Sequence, residues 1–283
     1  MQADVQKLPG AFIWKRLHSL TGIWLTAFLT LHLFTNSQAA LLIGDEHSGF
    51  VRSVNEIHNL PYLPAIELFL LGIPFLVHIV WGICYLRTGQ FNSFRTDGST
   101  PALTEYGRNQ GYTWQRITAW ILLFLIAGHV IQMRFLEAPI PVHEGNSIQY
   151  LLQIPEDARL PALAEKLNVA LYSPEAISSQ WKAEASFPNL PAHVIAATSN
   201  FGASELLMVR ETFKSPAMLF LYTVLVLSAC FHGFNGLWTF CITWGVTLSA
   251  AAQNRMRVVA TCLMLAITLL GLIAIWGTWY TNL

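Results

Sequence analysis

Pro216 to Gly245 reads PAMLFLYTVLVLSACFHGFNGLWTFCITWG, thirty residues without one Asp, Glu, Lys or Arg and with a single histidine, His232. A run of roughly 20 apolar residues crosses a bilayer core about 30 Å thick as a helix. The stretch therefore predicts a membrane-spanning helix with an ionisable ring inside it. Four more runs of this kind lie at about Trp14–Asn36, Leu63–Leu86, Trp114–Gln132 and Val258–Tyr280. With 54% hydrophobic and 11% charged residues and a mean hydropathy of +0.46, the 283-residue chain does not describe a soluble globular domain. Its formal net charge of +0 gives no overall field toward nucleic acid. The expectation is an all-α integral membrane protein with five transmembrane helices.

Local charge sets the expected orientation. Lys7, Lys15 and Arg16 outnumber Asp4 before the first run, and Arg87, Arg95, Arg108 and Arg116 outnumber Asp97 and Glu105 after the second. Arg255 and Arg257 separate the last two runs, whereas the opposite side holds Asp45, Glu46 and Glu56 against Arg52. By the positive-inside rule the N-terminus is cytoplasmic and the C-terminus outside. The first run is longer than a signal-peptide core and is read as a helix of the mature protein. The four cysteines, Cys84, Cys230, Cys241 and Cys262, lack C-x-x-C spacing and read as buried small hydrophobes.

Three segments follow from this reading. Residues 1–136 hold the tail and the first three helices, 137–214 form an extracytoplasmic insertion, and 215–283 hold the last two helices. At about 80 residues the connection is too long for a simple helix link, and acids such as Glu144, Glu156, Asp157 and Glu205 outnumber its bases. The segment from Glu156 to Leu167 predicts a short amphipathic helix in a small outward cap. The Gly-, Ser- and Asn-rich loop from Thr88 to Thr113 predicts a cytoplasmic connection.

Four of the five runs hold a histidine: His32, His78, His129 and His232. Ionisable rings inside membrane spans are costly and mark function. At 1.5 Å per residue and alternating chain direction, His32 and His129 fall toward the outer face. His78 and His232 fall in the inner half, the latter roughly 24 Å past Pro216. The rings thus sort into two pairs, roughly 10 to 15 Å apart along the membrane normal. Imidazole is a common haem ligand, and a helix bundle can hold a cofactor between facing helices. Gly22, Gly82, Gly128 and Gly233, near the ligands, would let a flat macrocycle approach the backbone. Two-histidine zinc sites need further ligands, and none lies at these depths. A histidine-based proton or metal transporter uses the same residue type, but the spans are poor in accompanying carboxylates.

Ligation by two imidazoles fills both axial positions of iron and points to electron transfer. Propionates need cationic or hydrogen-bonding partners; Arg16, His18 and Ser19 open the first helix and Arg116 the third, on the inner side. Glu67 is an acid at the start of the second span, at the outer pair's depth, and a carboxyl there can take up and release protons. His47, His58, His143 and His193 read as surface histidines of outer loops. The tryptophans read mostly as interface belt or core.

The stretches Arg16-Leu-His-Ser-Leu-Thr-Gly22, Pro61 to His78, Gln115-Arg-Ile-Thr118, Gly128-His-Val130 and Phe231-His-Gly-Phe-Asn-Gly-Leu-Trp238 resemble the di-haem cytochrome b membrane-anchor subunits of succinate:quinone oxidoreductases, of the Bacillus-like succinate dehydrogenase type. The resemblance covers all five spans. It implies two haem b groups, with His78 and His232 on the inner, higher-potential one and His32 and His129 on the outer, lower-potential one. It also implies cytoplasmic flavoprotein and iron-sulfur partner subunits, a quinone that in this subtype is usually menaquinone, with Glu67 as the candidate proton shuttle at the quinone site, and a place in the bacterial cytoplasmic membrane. The dicarboxylate site would lie on another chain, so this subunit would not oxidise succinate by itself. The same parts serve succinate oxidation in respiratory complex II and, in reverse, fumarate reduction. The insertion departs from the family pattern, in which the third and fourth spans are joined by a short link.

Overall fold

The computed structural model describes residues 9–40, 49–89, 93, 105–177, 179–188 and 190–282. Its elements are α1 (Gly10–Ser37), α2 (Phe50–His58), α3 (Leu63–Glu67), a π-helical turn (Leu68–Gly72), α4 (Ile73–Thr88) and α5 (Gly107–Ile131), which runs into a second π turn (Gln132–Leu136). There follow β1 (Ile140–Glu144), β2 (Ser147–Pro155), α6 (Leu160–Lys166), β3 (Ala170–Tyr172), α7 (Ser179–Glu184), β4 (His193–Thr198) and α8 (Phe201–Thr212). The chain ends with α9 (Pro216–Thr243), α10 (Ala250–Leu272), a third π turn (Ile273–Gly277) and α11 (Thr278–Asn282).

Among the described residues, five helical stretches are long and apolar enough to cross a membrane: Gly10–Ser37, Leu63–Arg87, Gly107–Leu136, Pro216–Thr243 and Ala250–Thr281. Each contains most of one predicted run. Several reach further, as α5 does before Trp114 and α10 through Arg255 and Arg257, because helical hydrogen bonding continues across polar residues that hydropathy counts as loop. Large apolar side chains such as Leu31, Leu76, Phe124, Phe220 and Leu265 point outward. Such faces are costly in water and are solvated by lipid chains in a bilayer. Cys84 and Cys262 are also exposed, so the reading of all four cysteines as buried is corrected to Cys230 and Cys241.

The chain divides into two compact units, Met1–Leu31 with Pro64–Phe124 and Leu227–Thr268, and His32–Leu63 with Leu125–Val226 and Leu269–Leu283. In the first, Pro74 cannot donate to the Leu70 carbonyl four residues before it. The indole N–H of Trp24 donates to that carbonyl instead, at 2.6 Å, so a proline inside a span is tolerated at a π turn. Close approach of α1 and α9 rests on Gly233, where a Cβ would stand 3.1 Å from Thr26 Oγ1. Helix α9 ends with Gly245 at φ +70°, and the Arg16 guanidinium donates to the Thr243 carbonyl at 3.1 Å, satisfying one of the carbonyls a helix end leaves free.

The second unit contains the insertion, and here the all-α expectation is corrected. Residues 140–198 build a four-stranded antiparallel sheet in the order β1-β2-β4-β3. Its hairpin turns at Gly145, φ +62°, and Asn146, glycine-first as two-residue hairpins favour. Val142, Leu151, Ile195 and Ala197 on one face pack with Trp181 and Ala185 of the α7 region. Leu152, Ile154 and Ala196 alternate to the other face, where α8 packs. A sheet covered on both faces has continuous apolar strands rather than alternating ones. Tyr150-Leu-Leu152 and Val194 to Ala197 therefore lack the period-2 signal that marks a half-exposed strand. The predicted short helix is α6, which ends at Asn168 in the left-handed region, φ +51°.

Helix α8 is held against α2 by reciprocal amides. Asn55 Nδ2 donates to Asn200 Oδ1 at 2.8 Å, and the Gly202 N–H donates to Asn55 Oδ1 at 2.8 Å. Gly202 faces the Val51 carbonyl with no room for a Cβ. Much of the Thr88–Thr113 connection, with Arg95 and Asp97, lies outside the described residues, as do Asp4, Lys7, Asp45, Glu46 and His47.

Candidate functional site

The structure brings the four membrane histidines together two by two. In the first unit, the rings of His78 on α4 and His232 on α9 have centroids 6.1 Å apart and planes at 79°. In the second, His32 on α1 and His129 on α5 have centroids 5.9 Å apart and planes at 75°. A metal–imidazole bond is about 2 Å long, so one ion between two ring nitrogens sets the ring centres about 6 Å apart. Both pairs have that separation. Among the described residues no group of three or more His, Cys, Asp or Glu stands together. Two imidazoles per site suit an iron whose equatorial positions a macrocycle fills.

The remaining ring nitrogens fix tautomers. His78 Nδ1 lies 3.1 Å from the His18 carbonyl and 3.4 Å from Thr21 Oγ1. His232 Nδ1 lies 3.2 Å from the Gln115 carbonyl and 3.3 Å from Thr118 Oγ1. A carbonyl only accepts, so each Nδ1 donates and each Nε2 is left with a free lone pair. Around His232 the frame is a zipper between α5 and α9. Gln115 Nε2 donates to the His232 carbonyl at 3.0 Å, and Asn235 Nδ2 donates to Gln115 Oε1 at 2.7 Å. Trp238 Nε1 donates to the Gln253 carbonyl at 3.0 Å. The Gln115–Thr118 and Phe231–Trp238 stretches are thus the residues that hold His232 in place.

The glycines divide by role. Gly22 makes room for His78 itself, since a Cβ there would come within 2.9 Å of His78 Cε1. Gly82 faces His18, and Gly233 serves the approach to Thr26, which is helix packing rather than macrocycle clearance. Gly128, beside His129, has open space where a Cβ would project.

The residues expected to meet propionates are placed differently from one another. His18 stacks on His78, centroids 4.1 Å apart at 12°, and its Nδ1 is buried without a hydrogen-bond partner. The indole nitrogen of Trp81 is likewise buried and unpartnered, and both rings stand edge-on to Tyr85. Burying polar nitrogens without partners is costly, so these two point to an acceptor beside the His78–His232 pair. By sequence Trp81 is one among the tryptophans of interface belt or core; its buried indole nitrogen distinguishes it from Trp14, which stacks on it from an exposed position. Arg16 is engaged at the end of α9. Arg116 lies over the Tyr112 ring at 3.9 Å and against Gly89, and Ser19 is half-buried on α1. Glu67 is the half-buried last residue of α3, directly before the π turn, in the unit that holds His78 and His232.

The His32–His129 pair has a partner that sequence reading missed. Tyr222 Oη lies 3.1 Å from His129 Nδ1, and the Asn36 amide donates to the His32 carbonyl at 2.8 Å. A tyrosine within an apolar run carries no periodic signal that would single it out. His58 stacks on Phe201 at 3.8 Å and meets Tyr150 Oη at 2.9 Å, so it belongs to the packing of the insertion. His143 pairs with Glu184 and His193 with the Pro191 carbonyl.

No family model matches the chain. Over 267 residues, 94% of its own length and 96% of the other protein's, the chain is 27% identical to the succinate dehydrogenase cytochrome b558 subunit of Bacillus subtilis (strain 168), a protein of the kind its motifs resemble.

Proposed function

We propose that this chain is the membrane-anchor, di-haem cytochrome b of a succinate dehydrogenase, respiratory complex II. The observation that carries the reading is the pair of ring separations, 6.1 Å for His78–His232 and 5.9 Å for His32–His129, each matched to one iron between two imidazoles. The near full-length similarity to a cytochrome b558 subunit supports it. Bound at each pair, haem b would supply one-electron transfer between ferric and ferrous iron.

The chain's own residues do the rest. His78 and His232 would hold the inner group through Nε2, since their Nδ1 protons are fixed on helix carbonyls. His18 and Trp81 present buried nitrogens to its propionates, with Ser19 and Arg116 as further candidates. Arg16 closes α9 and keeps the Phe231–Trp238 stretch in register. His32 and His129 hold the outer group. Glu67 delivers protons to the reduced quinone, menaquinone in the expected subtype. The basic N-terminal side would face the cytoplasm, where flavoprotein and iron-sulfur subunits would deliver electrons to the chain.

The test is haem counting on the complex purified from membranes. Two b-type haems per chain are expected. His78→Ala or His232→Ala should remove the same one, and His32→Ala or His129→Ala the other. A folded, colourless protein that moves protons or metal ions across vesicles would instead support a histidine-based transporter.

A further inference from the structure

His129 differs from the His78–His232 pair in what stands behind the ring. His78 and His232 donate Nδ1–H to neutral backbone carbonyls, His18 O and Gln115 O. Behind His129 a chain of side chains ends on a carboxylate. Glu137 Oε1 accepts from Gln132 Nε2 at 2.8 Å, Gln132 Oε1 accepts from Tyr222 Oη at 3.1 Å, and Tyr222 Oη meets His129 Nδ1 at 3.1 Å.

Each link fixes the polarity of the next. A carboxylate only accepts, so it sets which end of the Gln132 amide faces it and turns the amide oxygen toward Tyr222. That oxygen takes the one hydroxyl proton of Tyr222. The tyrosine oxygen then has only lone pairs for His129, so Nδ1 must carry the proton and Nε2 must be bare. The geometry depends on the π turn. There the Glu137 N–H donates to the Gln132 carbonyl at 2.9 Å, five residues back, and the wider turn brings the two side chains onto one side of the helix. The second carboxylate oxygen accepts from Thr212 Oγ1 of α8 at 2.8 Å. The insertion thus supplies both the carboxylate and one of its anchors.

We propose that Glu137, Gln132 and Tyr222 form a polarity relay that holds His129 as an iron ligand with Nε2 free and makes it more electron-donating than His78 or His232. Hydrogen bonds in a chain polarise one another, and an acceptor behind a ligating imidazole raises its basicity. A more basic ligand favours ferric iron and lowers the potential of that site relative to the same site without the relay. This rests on the reading that His32 and His129 hold a haem. Tyr222, Gln132 and Glu137 are positioning residues; none of them meets the iron.

The experiment is potentiometric titration of the haems in the intact complex carrying Tyr222→Phe or Glu137→Gln, the outer haem being identified by its absence from the His32→Ala complex. Both variants should keep two haems. The outer one should become easier to reduce, by about tenfold in its oxidised-to-reduced ratio at fixed potential, which is about 59 mV for a one-electron couple. The inner one should be unchanged. If Tyr222→Phe loses the outer haem, the upward shift in Glu137→Gln decides in favour. Unshifted outer potentials in every variant that retains the haem overturn the relay while leaving the di-haem reading intact. An unaltered complex without two haems overturns that reading instead.

Discussion

His78 can stand where it does because residue 22 has no side chain. A Cβ at Gly22 would come within 2.9 Å of His78 Cε1, and the ring cannot swing away freely, since its Nδ1 is tied to the His18 carbonyl and its face to the His18 ring. Overpacking of this kind costs about 1–3 kcal/mol, so Gly22→Ala should weaken retention of the haem proposed at His78 and His232 by roughly tenfold. Measured as haem per chain after extended washing, the loss should spare the one proposed at His32 and His129. Equal loss of both would mean general destabilisation of the bundle. The sequence places Gly22 at the right depth but not its partner, because depth follows from rise along one helix while the partner depends on the rotation of another.

Helix α8 illustrates what an element takes from its ends. Asn200 Oδ1 accepts from the Ala203 N–H at 3.1 Å as an N-cap and from the Asn55 amide of α2 at 2.8 Å. Replacing a capping asparagine by alanine costs about 1 kcal/mol, and here the Asn55 amide also loses its acceptor. Asn200→Ala should therefore cost about 2 kcal/mol, and Asn55→Ala combined with it should add less than the sum of the two. Thermal unfolding of the four chains in one detergent measures the coupling; strict additivity would deny it. Helices were legible from apolar runs and the α6 segment from its spacing. The sheet was not, because strands buried on both faces look like any other short apolar run.

At the scale of the whole molecule, the insertion is fastened by ionisable groups with opposed pH responses. Burial would raise the Asp157 carboxyl, but donors from Lys214, the Arg159 N–H and Arg210 outweigh it and hold the group well below the usual carboxylate range. A depressed carboxyl contributes stability that is full above its unfolded pKa, about 4, and is lost as pH falls toward the folded value. Glu205 has the reverse sign: burial, opposed by Arg134, pushes it up to about 7. Its contribution is full below about pH 4 and is lost as pH rises through about 7. Amide exchange of β2 and β4 in the full chain, corrected for intrinsic rates, should show greatest protection near pH 4 to 5. Glu205→Gln should flatten the decline through neutrality and Asp157→Asn the decline in acid. A profile that neither variant alters would remove both carboxyls from the account.

Membrane crossing, the number of spans and the grouping of four histidines into two pairs were determined by the sequence itself. Apolar composition and a rise of 1.5 Å per residue act locally and add along the chain. What stands behind each histidine was decided only by the tertiary structure. His129 and Tyr222 are 93 positions apart and His232 and the Gln115 carbonyl 117 apart. Those hydrogen bonds exist because helices pack at one particular rotation, and rotation is a property of the assembled bundle that no local stretch encodes.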